Sequence, residues 1–288
     1  MKYLILGKNG QLGRSFVKRI TNNMRRKDTL VALGKEECDI SNLGEVIQVF
    51  ESVKPDIVIN CAAYNYVDAA ETQYSEAVKV NSVGVRNLAF ACKRFGSFMV
   101  HYSTDYVFDG EKEGGLYTEE DEPNPINEYG KSKLMGEAFL RDEIDKFLIF
   151  RVSWVYGEGK QNFIYKLLTW VKSSDYLRIA YDEFSVPTST DTIVELSLLA
   201  LEKELTGLYH LTNSGYASRY EWAKSILENL GINKFIQPVS KEFFNLAAKR
   251  PKFSAMSNDK LRGLLSIDIP MWSEELKRVL TKSNTFAF

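Results

Sequence analysis

Near its N-terminus the chain reads Tyr3-Leu4-Ile5-Leu6-Gly7-Lys8-Asn9-Gly10-Gln11-Leu12-Gly13. A short apolar run is followed at once by spaced glycines, and a helical pattern of apolar residues begins within them. Glycines between a strand and a helix allow a tight turn whose backbone N–H groups approach a pyrophosphate at the positive end of the helix. The stretch therefore predicts a dinucleotide site on a βαβ unit. A P-loop does not fit, because no Gly-Lys-Ser or Gly-Lys-Thr closes the stretch. The alternative is a glycine-rich turn with a packing role.

Short apolar runs alternate with helical patterns through the first half of the chain. The runs predict strands at 3–6, 30–33, 57–59, 98–101 and 147–150. The patterns between them predict helices from residue 12 onward and at 43–53, 77–95 and 129–141. Apolar strands separated by helices indicate a parallel sheet that is buried on both faces. We expect an α/β fold with a doubly wound parallel sheet of the Rossmann type.

The later part of the chain is less regular and predicts a smaller, mostly helical substrate domain. Its patterns predict helices at 162–173, 193–204, 220–230 and 272–280 and a strand at 208–211. We expect a dinucleotide-binding domain at 1–154, with a returning segment near 181–213, and a substrate-binding domain at 155–180 and 214–288. The stretch 109–127 is rich in Glu, Gly, Pro and Asn. It predicts a long surface loop, which either borders an active site or is a plain solvated excursion.

The composition is that of an ordinary globular protein. Of 288 residues, 44% are hydrophobic and 26% are charged, which argues against long disordered segments. Lys and Arg total 37 against 38 Asp and Glu, a formal net charge of −1. No basic excess is available to neutralise a phosphate backbone, so general nucleic-acid binding is not expected. No apolar stretch reaches the roughly 18 residues that a membrane-spanning helix needs, so no membrane partner is expected.

Cysteine and histidine are few and widely spaced. Cys38, Cys61 and Cys92 contain no Cys-x-x-Cys pair, which suits a reducing cytosol and predicts packing roles and a cytoplasmic location. His101 and His210 each lie in an apolar run, so we expect structural roles for both. A zinc site or a Ser-His-Asp triad therefore has little material, and no metal site is predicted from these residues.

The second predicted strand is followed by Gly34-Lys35-Glu36-Glu37-Cys38-Asp39-Ile40. An acid at the tip of that strand binds the ribose diol and repels a 2′-phosphate. The tip here is Gly34-Lys35, which favours NADPH. Glu36 or Glu37 would reverse that preference, so NADH stays open. Asp39 and Ile40 border the adenine or form a surface loop.

Polar and small residues follow the next two strands. The third strand ends in Asn60-Cys61-Ala62-Ala63-Tyr64-Asn65, and the fourth in His101-Tyr102-Ser103-Thr104-Asp105-Tyr106. Ligands of open α/β sheets bind at the carboxyl ends of the strands. The first run leaves space for a ligand or serves close packing. The second run supplies candidate catalytic hydroxyls or forms a Ser/Thr turn.

Tyr129 and Lys133 lie four residues apart on a predicted helix, about 6 Å along its axis and on one face. An ammonium near a phenol stabilises the phenolate and lowers the tyrosine pKa from about 10. Such a tyrosine protonates a ketone oxygen during reduction. The same spacing recurs at Tyr156/Lys160 and Tyr220/Lys224. Only the pair at 129 and 133 follows the hydroxyl-bearing strand directly, so we predict it to be catalytic and the others to be structural.

Taken together, these motifs resemble the extended short-chain dehydrogenase/reductase superfamily and, within it, the dTDP-4-dehydrorhamnose reductase family. The resemblance runs through most of the chain. Beyond the runs quoted above, it rests on Val67-Asp68, Glu71, Val107-Phe108, Tyr129-Gly130-Lys131-Ser132-Lys133, Arg151-Val152-Ser153-Trp154-Val155-Tyr156-Gly157, Asn162-Phe163, Pro187-Thr188 and Arg250-Pro251. It implies NAD(P)H-dependent reduction of the C4 ketone of a nucleotide sugar.

The resemblance also implies a role for each matching residue. At the cofactor phosphates it implies Gly10, Gln11 and Leu12, together with the flanking Gly7 and Gly13. At the adenosine it implies Asp39 and Ile40, and beside the cofactor Ala63, Tyr64 and Asn65. Thr104 and Asp105 match residues that hold the keto-sugar, and Thr104 is expected to stabilise the alkoxide. Tyr129 matches the proton donor, and Lys133 binds the nicotinamide ribose and lowers the tyrosine pKa. Trp154 matches a substrate contact. Charge alone suggests Arg250 as a clamp for the substrate diphosphate.

One run departs from the family pattern. The family usually has a glycine between an Asp-Gln pair and Pro-Thr, whereas this chain reads Asp182-Glu183-Phe184-Ser185-Val186-Pro187-Thr188. The run lies on the expected substrate side and leaves the exact sugar open. Some family members are Mg²⁺-bridged dimers. No carboxylate cluster here requires Mg²⁺, and a homodimer stays open.

Two other functions remain as alternatives. A sugar-nucleotide epimerase or dehydratase on the same fold is one, but related dehydratases resemble Thr-Asp-Glu at the fourth strand end, where Tyr106 replaces the acid. The other is a regulatory subunit resembling the β subunit of methionine adenosyltransferase, which acts by binding a partner enzyme. Its equivalent of Trp154 is not aromatic, so Trp154 favours an enzyme.

Overall fold

Twelve strands and eleven α-helices follow one another in the computed structural model, which describes residues 1–24 and 26–282. The strands are β1 (Lys2–Leu6), β2 (Thr29–Leu33), β3 (Ile57–Asn60), β4 (Phe98–Thr104), β5 (Phe147–Val152), β6 (Val155–Tyr156), β7 (Leu177–Ala180), β8 (Phe184–Ser185), β9 (Thr188–Ser189), β10 (Gly207–His210), β11 (Ala217–Ser218) and β12 (Ile236–Val239). The helices are α1 (Gln11–Asn23), α2 (Leu43–Val53), α3 (Val67–Ala70), α4 (Tyr74–Val78), α5 (Val85–Phe95), α6 (Glu128–Glu143), α7 (Phe163–Ser173), α8 (Thr190–Glu202), α9 (Arg219–Asn229), α10 (Asp259–Leu265) and α11 (Trp272–Lys282).

A six-stranded sheet in the order β10-β5-β4-β3-β1-β2 organises the first half of the chain. All neighbouring strands in it are parallel. The chain runs outward from β1 to β2 and then crosses back to β3 on the other side. This reversal opens a crevice at the carboxyl ends of β1 and β3, where ligands bind in such sheets. The predicted doubly wound parallel sheet is confirmed.

Helices cover both faces of this sheet, as buried strands require. On one face, Phe16 and Ile20 of α1 and Ile193 of α8 pack against Ile5 and Val100 of the sheet. On the other face the core is formed by side chains of α2, α5 and α6, including Val46, Phe50, Leu88 and Leu140. Full burial of an apolar side chain of this size contributes about 1.5–3 kcal/mol.

A separate apolar cluster lies in the later part of the chain. It joins Trp154 and Tyr156 to Leu167 of α7, Trp222 of α9 and Leu276 of α11. The parallel pair β7 and β12 closes one side of it. Two stretches of sequence therefore build this cluster, one before and one after the strands and helix at 184–210. The domain boundaries expected from the sequence stay a prediction.

The predicted long helix at 77–95 differs in the structure. It is divided into α4, a π-helical turn at Lys79–Gly84 and α5. Asn81 in the π-helical turn is buried, and its side chain bonds the backbone of Tyr64 at 2.9 and 3.0 Å. Gly84 lies against Ile40, where a Cβ would come within 2.7 Å of the Ile40 side chain. The wider turn thus lets a polar side chain leave the helix toward the third strand end. Helix α10 and the β7–β12 pair were also not predicted.

Residues 109–127 form the predicted loop, but it is anchored to the core. Tyr117 is buried, its ring stacks on Phe108 at 4.1 Å, and its hydroxyl donates to Asp109 at 2.8 Å. At its end, Asn127 caps α6 by accepting from the N–H of Gly130 at 2.8 Å. The loop therefore leads directly into the helix that carries Tyr129.

The cysteines and histidines have packing roles. Cys38 and Cys92 are buried, Cys61 is half-buried, and all three are free thiols. His101 and His210 are fully buried, and burial lowers the pKa of both, that of His210 to about 3. Both imidazoles are therefore neutral, and the structural interpretation is confirmed. In the part of the chain that the structure describes, no helix has the length and apolarity to cross a membrane.

Candidate active site

The glycine turn between β1 and α1 lies at the crevice of the sheet. Gly7 has φ +83°, and its N–H donates to the Leu33 carbonyl at 2.9 Å. A Cβ on Gly7 would lie 2.6 Å from the backbone nitrogen of Ala62, and one on Gly13 would collide with the Gly7 carbonyl oxygen. The turn thus requires small residues, because strand, turn and helix touch through their backbones.

The first turn of α1 suits an anion. Within its described residues no side chain caps it and none is acidic, so its N–H groups and dipole are open to a negatively charged group. Gln11 donates from Nε2 to the Val155 carbonyl at 3.1 Å, and its buried Oε1 has no partner among the described residues. The arrangement fits the pyrophosphate of a dinucleotide.

The residues that the resemblance implies at the adenosine follow β2. Glu37 accepts from the Gly34 N–H at 2.7 Å and forms an ion pair with Lys8 at 2.6 Å. Asp39 accepts from the hydroxyl of Ser41 at 2.7 Å, and Ile40 is buried. Of the two acids left open by the sequence, Glu37 is therefore the one held at the strand tip. Its charge is balanced in part by Lys8.

Asn81 holds the third strand end in place. Its side chain accepts from the Tyr64 N–H and donates to the Tyr64 carbonyl and to the hydroxyl of Ser132 on α6. Asn60 accepts from the Ala62 N–H at 3.1 Å. The backbone of the run from 62 to 65, which includes Ala63, is thus fixed between the sheet and α6. Sequence reasoning missed Asn81; the available signal was a polar residue within an apolar helical pattern.

Tyr129 lies beside two residues that the sequence also selected. Its hydroxyl donates to Oδ1 of Asn65 at 3.4 Å, and the Thr104 hydroxyl lies near enough to lower the pKa of Tyr129 against the larger effect of burial. Tyr129 is 9% exposed. Gly130 allows the close approach of α6 to the strand end, because a Cβ there would collide with the Tyr106 carbonyl. The structure therefore brings the third strand end, the fourth strand end and α6 together at one phenol.

Lys133 occupies the same face of α6 one turn later. Its side chain is buried, and its ammonium donates to the carbonyl oxygen of Tyr102 on β4. Burial lowers the pKa of Lys133 to about 8, while Glu137 opposes this shift. The group is thus mostly charged at neutral pH.

The expected lowering of the Tyr129 pKa by Lys133 is wrong for this structure. Burial is the largest influence and raises the pKa of Tyr129 well above its usual value, and the charge of Asp105 raises it further. The ammonium is engaged with Tyr102 instead. Tyr129 is therefore a neutral phenol, which is the form that donates a proton.

Asp105 is buried beneath the site. One carboxylate oxygen accepts from the hydroxyls of Ser185 and Ser254 at 2.7 and 2.6 Å, and the other accepts from Thr104 at 3.2 Å. Asp105 is 3% exposed. Its oxygens are thus used by the protein itself, which differs from the expected contact with the sugar. The Thr104 hydroxyl likewise donates its hydrogen bond to Asp105, which differs from the expected donation to an alkoxide.

Trp154 contacts the indole of Trp222 and the guanidinium of Arg219. Trp154 has φ +39° and stacks on Trp222 with the ring centroids 5.5 Å apart. Arg219, which sequence reasoning missed, covers the Trp154 ring at 3.6 Å and pairs with Glu183 at 3.3 Å.

Glu183 in turn faces the Tyr106 hydroxyl at 3.4 Å, and the Tyr106 ring meets Tyr129 edge-on at 6.1 Å. A continuous set of contacts therefore joins Trp154 to the phenol of Tyr129.

Arg250 forms a two-pronged ion pair with Asp68, with distances of 2.9 and 2.6 Å. It is close enough to Tyr106 for each to influence the other's pKa. Part of the hydrogen-bonding capacity of Arg250 is therefore used by Asp68.

The other two Tyr/Lys pairs have structural surroundings. Tyr156 is fully buried against Trp222, while Lys160 lies over the ring of Tyr165. Lys224 pairs with Glu228 on the surface of α9 at 3.8 Å. Both pairs lie apart from the strand ends that surround Tyr129.

The described residues offer no ligand set for a metal ion. Across 1–24 and 26–282, no three His, Cys, Asp or Glu side chains are grouped as metal ligands. The Mg²⁺ left open by the resemblance therefore finds no support in this part of the chain.

Known proteins resemble the chain along nearly its whole length. The family described as RmlD substrate binding domain matches residues 1–285. A dTDP-4-dehydrorhamnose reductase of Aggregatibacter actinomycetemcomitans is 36% identical over 290 residues, which cover 96% of this chain and 98% of that protein.

Two solved structures are similar in fold and sequence. A dTDP-4-dehydrorhamnose reductase from Clostridium acetobutylicum ATCC 824 has a TM-score of 0.93 and 38% identity over 98% of this chain and 99% of that one. A dTDP-4-dehydrorhamnose reductase from Bacillus anthracis str. Ames in complex with NADP has a TM-score of 0.93 and 34% identity, again over 98% of this chain and 99% of that one.

Proposed function

The chain belongs to the RmlD substrate binding domain family, and on this premise we propose that it reduces the C4 ketone of dTDP-4-dehydro-β-L-rhamnose to give dTDP-L-rhamnose. It is an oxidoreductase that acts on a sugar nucleotide with NADPH. Relatives that are similar over nearly their full length carry the name of this reductase, and one was solved with NADP. The product is a precursor of surface polysaccharides.

One observation carries the proposal: the neutral phenol of Tyr129 lies at the carboxyl end of β4, between Asn65 and Thr104. NADPH, when bound, supplies the hydride that reaches C4 of the sugar. Tyr129 donates its phenolic proton to the oxygen on which negative charge develops. Its burial keeps water away from that oxygen.

The surrounding residues bind and orient. The N–H groups of the first turn of α1, with Gly10, Gln11 and Leu12, hold the pyrophosphate. The Lys133 ammonium, which already donates to Tyr102, binds the ribose next to the nicotinamide. Trp154 faces the sugar, and Arg250 neutralises part of the diphosphate charge.

The two alternatives lack a supporting contact. An elimination needs an acid/base pair at the end of β4, and Tyr106 stands there with its hydroxyl directed to Glu183. Tight, non-exchanging NAD⁺ in the purified protein would favour an epimerase or dehydratase. Co-purification with a synthetase, without ketone reduction, would favour a regulatory subunit.

Coupled turnover tests the function directly. The upstream keto-sugar nucleotide is supplied with NADPH and then with NADH, and loss of cofactor absorbance and product identity are recorded. We expect stoichiometric formation of dTDP-L-rhamnose with NADPH. Cofactor consumption without this product, or no consumption, would contradict the proposal.

Cellular location and assembly belong to the same proposal. The three free thiols suit a reducing compartment, so we place the enzyme in the cytoplasm. A homodimer stays a prediction, which sedimentation of the purified protein would test.

A further inference from the structure

We infer that Asp105 is a positioning residue: held by Ser185 and Ser254, it controls whether the hydroxyl proton of Thr104 points away from Tyr129 or toward it. The inference rests on the proposed function, because it assigns a proton path to the same site. It gives Asp105 a task other than touching the sugar.

Main-chain hydrogen bonds join the two distant segments that carry Ser185 and Ser254, the partners of the Asp105 carboxylate. Phe184 donates its N–H to the Lys252 carbonyl at 2.8 Å, and Ser254 donates its N–H to the Phe184 carbonyl at 2.9 Å. The side chains of Ser185 and Ser254 then converge on one oxygen of Asp105. This fixes the other oxygen toward Thr104.

Thr104 has one proton to give. A hydroxyl donates once and accepts twice, and Thr104 already accepts from the Tyr106 N–H at 3.2 Å. While Asp105 is ionised, it accepts the hydrogen bond that the Thr104 hydroxyl donates. Thr104 then has no proton left for the oxygen of Tyr129, whose own proton is donated to Asn65.

Protonation of Asp105 reverses this chain of hydrogen bonds. A proton on the oxygen that faces Thr104 is donated to Thr104, which donates in turn to the oxygen of Tyr129. Thr104 then stabilises the charge that develops on the Tyr129 oxygen as the phenolic proton leaves Asn65 for the substrate oxygen. When Tyr129 gives it up, the Thr104 proton moves to Tyr129 and the Asp105 proton moves to Thr104. Negative charge passes from the alkoxide to Asp105, and water restores its proton before the next turnover.

The charges around Asp105 allow this change near neutral pH. Burial raises the pKa of Asp105 to about 6, against the hydroxyls of Ser254, Ser185 and Thr104 and the positive charge of Arg219 on α9. The other titratable groups that face it are the neutral phenols of Tyr106 and Tyr129, with Glu183 beyond Tyr106.

The serine variants test the inference by the direction of a shift. Ser185→Ala and Ser254→Ala each remove a hydrogen bond that stabilises the ionised carboxylate, so the Asp105 pKa must rise. The single-turnover rate of the wild type should fall as pH rises through the Asp105 pKa of about 6. In either variant we expect this inflection, measured between about pH 5 and about pH 8, to move upward by about one pH unit. Asp105→Asn is expected to abolish the inflection. An inflection that stays in place or moves downward in both serine variants would overturn the inference.

A matched control separates this effect from loss of a buried hydroxyl. Ser97 is also buried and donates to a carbonyl, that of Pro55, at 2.6 Å, so Ser97→Ala should leave the inflection unchanged. A ¹³C NMR titration of the Asp105 carboxyl, assigned by its absence in Asp105→Asn, measures the same pKa independently of enzyme activity. A carboxyl shift in the serine variants without keto-sugar reduction by the wild type would refute the proposed function alone. Reduction without that carboxyl shift would refute the inference alone.

Discussion

The buried ammonium of Lys133 donates a hydrogen bond to the main-chain carbonyl of Tyr102, two residues before Thr104 on β4. A strand carbonyl, rather than a carboxylate, thus orients the charged end of this side chain. Because burial lowers the Lys133 pKa to about 8, the charge is present at neutral pH and is lost within a range that experiments reach easily.

NADPH binding is therefore expected to weaken as pH rises through 8, the pKa of Lys133. Below that pH the ammonium donates to the ribose, and above it a neutral amine donates less strongly. Fluorescence titration of NADPH at about pH 7 and about pH 9 measures the difference in affinity. Lys133→Met should remove this difference and weaken NADPH binding at both pH values. Lys131→Met, at an exposed neighbour paired with Glu128, serves as the control. Equal wild-type affinity at the two pH values would contradict the role.

Tyr129→Phe is expected to lower kcat by about 10²–10⁴-fold, because the variant lacks the proton donor. NADPH affinity should stay nearly unchanged, since the ring and the helix remain. Rates are followed by cofactor absorbance and affinity by fluorescence titration. Tyr220→Phe is the matched control, because Tyr220 has the same spacing to a lysine, Lys224, which pairs with Glu228 on the exposed side of α9. Wild-type turnover in Tyr129→Phe would exclude the phenol as the acid.

The placement of Tyr129 beside the two strand ends could be predicted from local sequence. Strand, polar strand end and helix follow one another directly in the chain, which is not the case for the other two Tyr/Lys pairs. The contacts of Asp105 could not be predicted in this way, because Ser185 and Ser254 are 80 and 149 residues away from it. The same holds for the Arg219 side chain over Trp154, since their contact depends on how α9 packs. The π-helical turn depends on the tertiary contacts of Asn81, which a helical period does not reveal.

Gly13→Ala is expected to destabilise the protein by about 1–3 kcal/mol, because the new methyl group collides with the backbone of Gly7. Gly263 in α10 is the matched control, since a Cβ there meets nothing within 4 Å. Gly263→Ala should stabilise by about 0.5–1 kcal/mol through helix propensity alone. Urea unfolding of both variants gives the two values. A neutral Gly13→Ala would show that the glycine turn tolerates a side chain.

Glu37→Gln is expected to shift cofactor preference toward NADPH by a few-fold, because it removes a negative charge at the tip of β2 and frees Lys8. The effect is modest since the pair is partly exposed and screened. The ratio of kcat/KM for NADPH to that for NADH measures it. Glu36→Gln, at the exposed neighbour, should leave the ratio unchanged. A shift toward NADH would place the adenosine elsewhere.

The stacked rings of Trp154 and Trp222 lie 5.5 Å apart with an angle of 13° between them. The electronic transitions of two nearly parallel indoles this close together couple, and the pair lies on the side that we propose for the substrate. Near-ultraviolet circular dichroism should therefore report occupancy of that side without any dye. A ligand that displaces Arg219 from the Trp154 ring would change the signal even when no reaction follows.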